Sequence, residues 1–199
     1  MRYELLQTSW GTFGYVARNG RLLATFLPHA RRTVLSAIRN RHPGARPGRN
    51  LLPKFRRQVI RFFDGHRTNF SVSLDLTDLP PFHRSVVRQC RRIPYGKTAS
   101  YADLARATGN PHAARAIGNA MARNPLPLVV PCHRVLRTDG SLGGFSTPRG
   151  INEKIRLLRL ENPTFELLAR DEMPNGKTSR NPRNTAGPSL HPPAMTKCA

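Results

Sequence analysis

The sequence predicts an α+β fold, on two observations. Short alternating strands cluster near the N-terminus around an Asn19-Gly20 turn, and apolar stripes at helical spacing fill most of the remaining chain, above all after Pro80-Pro81. The Pro-Pro pair also marks a boundary, giving an N-terminal α/β unit over 1–79, a mostly helical unit over 80–168, and a tail over 169–199.

Tyr3 to Gln7, Thr12 to Ala17 and Arg21 to Leu27 read as three antiparallel strands, with Pro28 expected to end the third. Val34, Leu35 and Ile38 form a helical stripe that stops before His42-Pro43-Gly44. Leu52, Phe55, Val59 and Phe62 form a second, across a Pro- and Arg-rich loop from Pro43 to Pro53. Phe70 to Leu76 alternates as a further strand. This half carries no visible chemistry and reads as scaffold.

After the boundary, Phe82, Val86 and Cys90 share one helix face, so Cys90 is expected in the core, and Ile93-Pro94-Tyr95-Gly96 breaks that helix. Ser100 with Asp103 forms a capping box for a short helix from Tyr101 to Ala107. Thr108-Gly109-Asn110-Pro111 offers a turn, an Asn N-cap and a Pro at N1, predicting a helix from Pro111 to about Ala122. The pair is a helix-turn-helix candidate. On the second helix Ala113, Ala114, Ile117 and Met121 face one way, and His112, Arg115 and Asn119 the other. Ala residues and Gly118 keep it slim, and Arg115 has no acidic residue at i±3 or i±4.

The chemistry concentrates in Leu128-Val129-Val130-Pro131-Cys132-His133-Arg134-Val135. Leu128 to Val130 read as a short buried strand that Pro131 stops, placing Cys132 where backbone meets cavity. A free thiol is only a few per cent ionised at neutral pH, and an adjacent imidazole is the usual means of raising that fraction, so Cys132 beside His133 reads as a nucleophile. Asp139-Gly140 and Gly143-Gly144 make a loop able to approach a flat ligand, with Phe145-Ser146 at its end. Ile151, Ile155 and Leu158 form a last helical stripe, which Glu161 continues. From Arg170 to Ala199 the composition turns to Asn, Pro, Thr, Ser and Gly without periodicity, predicting disorder.

The 33 Lys+Arg against 11 Asp+Glu give a formal charge of +22, which points to a polyanion, nucleic acid first. Cys90, Cys132 and Cys198 are too few and scattered for a disulfide framework or a four-ligand zinc site. With no signal peptide at Met1 to Trp10 and no apolar span of membrane length, a soluble cytoplasmic protein is expected, nucleoid-associated in a bacterium or nuclear in a eukaryote.

Asn124-Pro125, Pro131-Cys132-His133-Arg134-Val135, Gly143-Gly144-Phe145-Ser146 and the helix ending at Glu161 resemble the O6-alkylguanine-DNA alkyltransferases, the methylated-DNA–protein-cysteine methyltransferases. The resemblance is dense from about Pro81 to Glu161, looser over Met1 to Leu79, and absent beyond about Leu168. It implies a ribonuclease H-like N-terminal unit and a winged-helix-like helix-turn-helix. It also implies a monomer that acts once on double-stranded DNA, moving the alkyl group of O6-alkylguanine, and of O4-alkylthymine, to Cys132 after the base is flipped out. No cofactor is implied.

By the same resemblance Glu161 orients His133, which draws the thiol proton of Cys132. Asn124 holds the turn, and Tyr101 donates to the departing purine. Arg115 takes the flipped nucleotide's place in the stack. Ser100, Tyr101, Asn110, Ala113, Ala114, Gly118, Asn119 and Arg123 meet DNA, while Phe145, Ser146 and Val135 shape the base pocket. Phe145 stands where tyrosine is common in the family, and Val86-Val87 where tryptophan often occurs. Some relatives carry zinc on N-terminal Cys/His sets, but no cysteine precedes Cys90, so no metal is expected. The rival readings are a lesion sensor without chemistry, a helix-turn-helix regulator, and a cysteine hydrolase using the same three residues.

Overall fold

A computed structural model describes residues 1–165. The tail expected to be disordered, with Cys198, lies outside the described residues.

Three strands open the chain: β1 (Arg2–Thr8), β2 (Gly11–Arg18) and β3 (Arg21–His29). Asn19 and Gly20 both take positive φ, 50° and 71°, as the tight turn between right-twisting strands requires. The strands pair antiparallel, and β4 (Arg46–Pro47), inside the stretch expected to be loop, adds in parallel beside β1, for an order β3-β2-β1-β4. Pro28 does not end β3. It lies on an outer strand where Thr12 pairs with His29 and Gly14 with Phe26, so the register shift absorbs its missing donor.

Two helices complete the N-terminal half, α1 (Arg31–Arg41) and α2 (Pro53–Phe63). Alternation along β2 sends Phe13 and Tyr15 into one buried cluster with Phe55 and Phe62 of α2. Val16 joins Val34 and Ile38 of α1 in another. Gly14 sets the close approach of α1, since a Cβ there would sit 2.6 Å from Val34 Cγ1.

Phe70 to Leu76 does not form the expected strand; only Leu22 and Leu74 bridge. Its carbonyls are taken by arginines: Arg91 donates to Phe70 O and Val72 O, and Arg21 to Leu74 O. That leaves few acceptors for a ladder.

Beyond it come α3 (Pro81–Cys90), β5 (Ala99–Ser100), α4 (Tyr101–Ala107), α5 (Ala114–Ala122), β6 (Val135–Leu136) and α6 (Ile151–Glu161). Cys90 is fully buried, as its helix face predicts, and burial pushes its thiol well up. The capping box at α4 is present in both directions. α5 begins later than expected, because Ala113 N donates to Asn110 O and closes a turn through Pro111 and His112. Asn110 does not cap; its side chain donates to Thr108 O. The α2-side cluster continues through Val86, Cys90, Ile117 and Leu157 to Cys132, so one core underlies both halves. Across that junction Trp10, in the β1–β2 turn, packs on Phe63, and the Arg156 guanidinium of α6 lies over its ring at 3.6 Å.

Candidate active site

Leu128 to Val130 are buried but not a strand. Leu128 takes φ 79°, and Pro131, at φ −80° and ψ 65°, centres an inverse γ-turn closed by Cys132 N on Val130 O at 2.8 Å. Proline fixes that φ. Cys132–Arg134 then form one 3-10 turn. β5 and β6 pair in parallel with Ser100 opposite Leu136, which brings the start of α4, and with it Tyr101, beside the cysteine.

Cys132 lines a cavity of about 470 Å³ together with Tyr101, Arg115, Gly118, Met121, Asn124, Phe145 and Ser146. Asn124 organises its floor. Its Nδ2 donates to Val130 O at 2.9 Å and to Cys132 Sγ at 3.2 Å, while its Oδ1 accepts from Leu126 N at 3.0 Å. Burial pushes the Cys132 thiol up; the Asn124 hydrogen bond and the nearby Lys154 charge pull it back only in part. The resting group is therefore a thiol, and reaction at neutral pH needs a base.

His133 supplies one. Nε2 lies 2.8 Å from Glu161 Oε1. Burial lowers the imidazole pKa, against the raising effect of Glu161 and with help from the Arg134 charge, so the ring rests neutral. A carboxylate only accepts, so Nε2 carries the proton and Nδ1 presents a lone pair. Nδ1 is buried and has no hydrogen-bond partner among the described residues.

Glu161 is held from the other side by Arg134, through Nε to Oε2 and Nη2 to Oε1, both at 2.8 Å, and by Gly96 N at 3.1 Å. Burial opposes its ionisation, but the contacts with His133 and Arg134 outweigh that and hold the carboxyl at about 2. The buried face of α6 runs through Glu153, Lys154, Leu157, Leu158 and Glu161, while Ile151 and Ile155 of the expected stripe are half-buried and pack against the cluster that holds Leu158. Two of its three buried charges, Lys154 and Glu161, are tolerated inside because both are bonded. Lys154 Nζ donates to Val135 O at 2.6 Å and to Leu142 O, tying β6 to the loop over the cavity.

Five of the residues expected to meet DNA lie outside the cavity. Ser100 is engaged in the α4 cap. Asn110, Asn119 and Arg123 are exposed, and Ala113 is half-buried at the start of α5; none of the four lines the cavity, whereas Ala114 does. Val135, expected in the base pocket, is buried and does not line the cavity; its carbonyl accepts from Lys154 Nζ. Sequence reasoning missed Arg134 and Lys154. Each is a lone cation inside an otherwise apolar run or at core spacing, which is the signal that could have found them. Among the described residues no group of His, Cys, Asp and Glu is arranged to hold a metal.

Gly143, at φ 64°, lets the loop reach Tyr101, since a Cβ there would lie 3.0 Å from the phenol oxygen. Gly143→Ala is expected to cost about 1–2 kcal/mol for the left-handed conformation, plus a shift of loop or ring. Urea unfolding checks this; an unchanged midpoint would contradict the loop's conformation.

Fold and site define an α+β protein with a cysteine–histidine–glutamate centre on the wall of a cavity beside a helix pair. The chain belongs to the methylated-DNA–protein-cysteine methyltransferase family. Residues 81–163 match the family model "6-O-methylguanine DNA methyltransferase, DNA binding domain". The Mycobacterium leprae methylated-DNA–protein-cysteine methyltransferase is 43% identical over 104 residues, 52% of this chain and 61% of that protein. The constitutive Bacillus subtilis enzyme is 39% identical over 115 residues, 58% of this chain and 68% of its own. The match thus spans less than two thirds of the M. leprae relative. The crystal structure of Mycobacterium tuberculosis OGT in complex with DNA superposes with a TM-score of 0.69 at 32% identity, covering 82% of this chain and 94% of that one. Among the described residues no helix is long and apolar enough to cross a membrane.

Proposed function

We propose that the chain is a DNA repair protein that moves the alkyl group of O6-alkylguanine, and of O4-alkylthymine, irreversibly to its own Cys132. The observation that carries this reading is a cavity-lining thiol followed directly in the chain by His133, whose Nε2 is locked on Glu161 and whose buried Nδ1 has no hydrogen-bond partner among the described residues. His133 takes the thiol proton through a water and becomes an imidazolium beside Glu161. Sγ then attacks the alkyl carbon in line, the C–S bond forms as the C–O6 bond breaks, and the electron pair leaves with the purine. Tyr101, whose hydroxyl burial keeps protonated, donates to that purine. Asn124 holds the sulfur, and Phe145 and Ser146 wall the base. DNA bearing radiolabelled O6-methylguanine tests the proposal: label must move to the protein, and label that stays on DNA refutes it.

Residues 1–79 act as a ribonuclease H-like unit and 80–168 as the reactive unit, in which α4 and α5 form a winged-helix-like helix-turn-helix. A cytoplasmic monomer on double-stranded DNA suits the basic surface, which supplies sequence-independent phosphate contacts. Arg115, on the cavity rim, fills the stack that the flipped nucleotide leaves. Arg115→Ala is therefore expected to leave reaction with free O6-alkylguanine base nearly unchanged and to slow duplex repair by the order of the few kcal/mol that extrusion costs. The deficit should persist at saturating DNA and shrink when the lesion faces a mismatch. Equal slowing of the free-base reaction would place Arg115 in the catalytic pocket instead.

A further inference from the structure

The N-terminal half reads as scaffold in sequence, yet one of its residues grips the segment that carries the thiol. β3 is an outer strand, so alternate N–H groups on it face away from β2. Thr25 uses this edge twice. Its backbone N–H donates to Pro125 O at 2.9 Å and its hydroxyl to Pro127 O at 2.7 Å. The partner segment is Asn124-Pro125-Leu126-Pro127, in which neither proline has an N–H. The two prolines offer β3 carbonyls and no N–H, and the Leu126 N–H between them is taken by Asn124 Oδ1, so towards β3 this segment only accepts and a neighbour with two donors suits it. Threonine brings both from one residue, and it is 1% exposed.

What Thr25 holds is the base of the cysteine turn. Asn124 precedes the gripped prolines, and its amide bonds Leu126 N, Val130 O and Cys132 Sγ at once. Leu128, just beyond, keeps φ 79°, a conformation a branched side chain adopts only where its surroundings fix it. Pro127 itself lines the cavity.

We infer that Thr25 is a positioning residue: its hydroxyl, through Pro127, holds the 124–132 loop so that the Asn124 amide meets the Cys132 sulfur, and thereby sets the reactivity of the thiol. The inference concerns the thiol itself; only its consequence for repair rests on the alkyl-transfer reading.

Thr25→Val keeps the shape and the backbone donor and deletes the hydroxyl, whereas Thr25→Ser keeps the hydroxyl. The full chain and both variants are treated with iodoacetamide across pH, and alkylation at Cys132 is mapped by mass spectrometry. Thr25→Val is expected to slow neutral-pH alkylation by about threefold to tenfold, the scale of one hydrogen bond. The pH midpoint should move up and the alkaline plateau stay, with Thr25→Ser close to wild type. Thr25→Ala replaces the valine variant if that fails to fold. A midpoint unchanged on loss of the hydroxyl, or no rescue by serine, overturns the inference. If wild type and variants alike take no methyl from O6-methylguanine while the iodoacetamide midpoint still moves, the alkyl-transfer reading fails and the role of Thr25 stands.

Discussion

Given excess duplex carrying labelled O6-methylguanine, the chain is expected to take up one methyl group, on Cys132, and then stop. The limit follows from the bond formed. A thioether has no proton to lose and is a poor leaving group, and His133 and Glu161 can activate a thiol but cannot regenerate one. Cys132→Ser should abolish transfer, because a hydroxyl ionises far less readily than a thiol and the same neutral imidazole cannot compensate. DNA affinity should survive, since the buried thiol on the cavity wall carries no charge to offer a phosphate. Peptide mapping after reaction checks the position and scintillation counting the stoichiometry. Continued turnover would mean hydrolase chemistry on the same three residues.

Glu161→Gln is expected to have the second largest effect, on stability and rate together. The carboxylate accepts from His133, twice from Arg134, and from Gly96. A glutamine keeps the shape but leaves the Arg134 guanidinium, almost wholly buried, without its counter-charge. Removing one partner of such a pair costs about 3–5 kcal/mol. The thiol reaction should slow at neutral pH and recover in part at alkaline pH, where Cys132 ionises without help.

The wild-type acid profile comes from the same pair. Glu161 is held at about 2, below the unfolded carboxyl value near 4.3. A depressed folded value gives stability that is complete above the unfolded value and is lost as pH falls through about 4 towards 2. Urea midpoints at pH 7, 4 and 3 should show this loss in wild type and a smaller one in Glu161→Gln. An identical slope in both would remove Glu161 from the buried network.

Much of this site was legible in the sequence because its signals are local. The Pro131 turn, the Cys132–His133 pair, the capping box at Ser100 and the glutamate extending an apolar stripe each lie within a few residues of the feature that identifies them. Resemblance supplied Asn124 and Tyr101. What escaped depends on partners distant in the chain. Arg134 and Lys154 gain a role only once their acceptors, Glu161 and the carbonyls of Val135 and Leu142, come into place. The positive φ of Leu128 has no mark in sequence, and Thr25 meets Pro127 across 102 positions. At Asn110-Pro111 the local signal was present and misled, because a turn closed by Ala113 N delays the helix.

The contact between Trp10 and Arg156 has an optical consequence. Trp10 is the chain's single tryptophan, and the guanidinium over its indole belongs to the helix that also carries Lys154 and Glu161. Intrinsic tryptophan emission therefore responds to the seating of α6 against the β1–β2 turn, alongside the packing of Trp10 on Phe63. A cation against the ring quenches and shifts that emission, so its recovery as α6 lifts gives a label-free signal for the integrity of the helix behind the reactive cysteine.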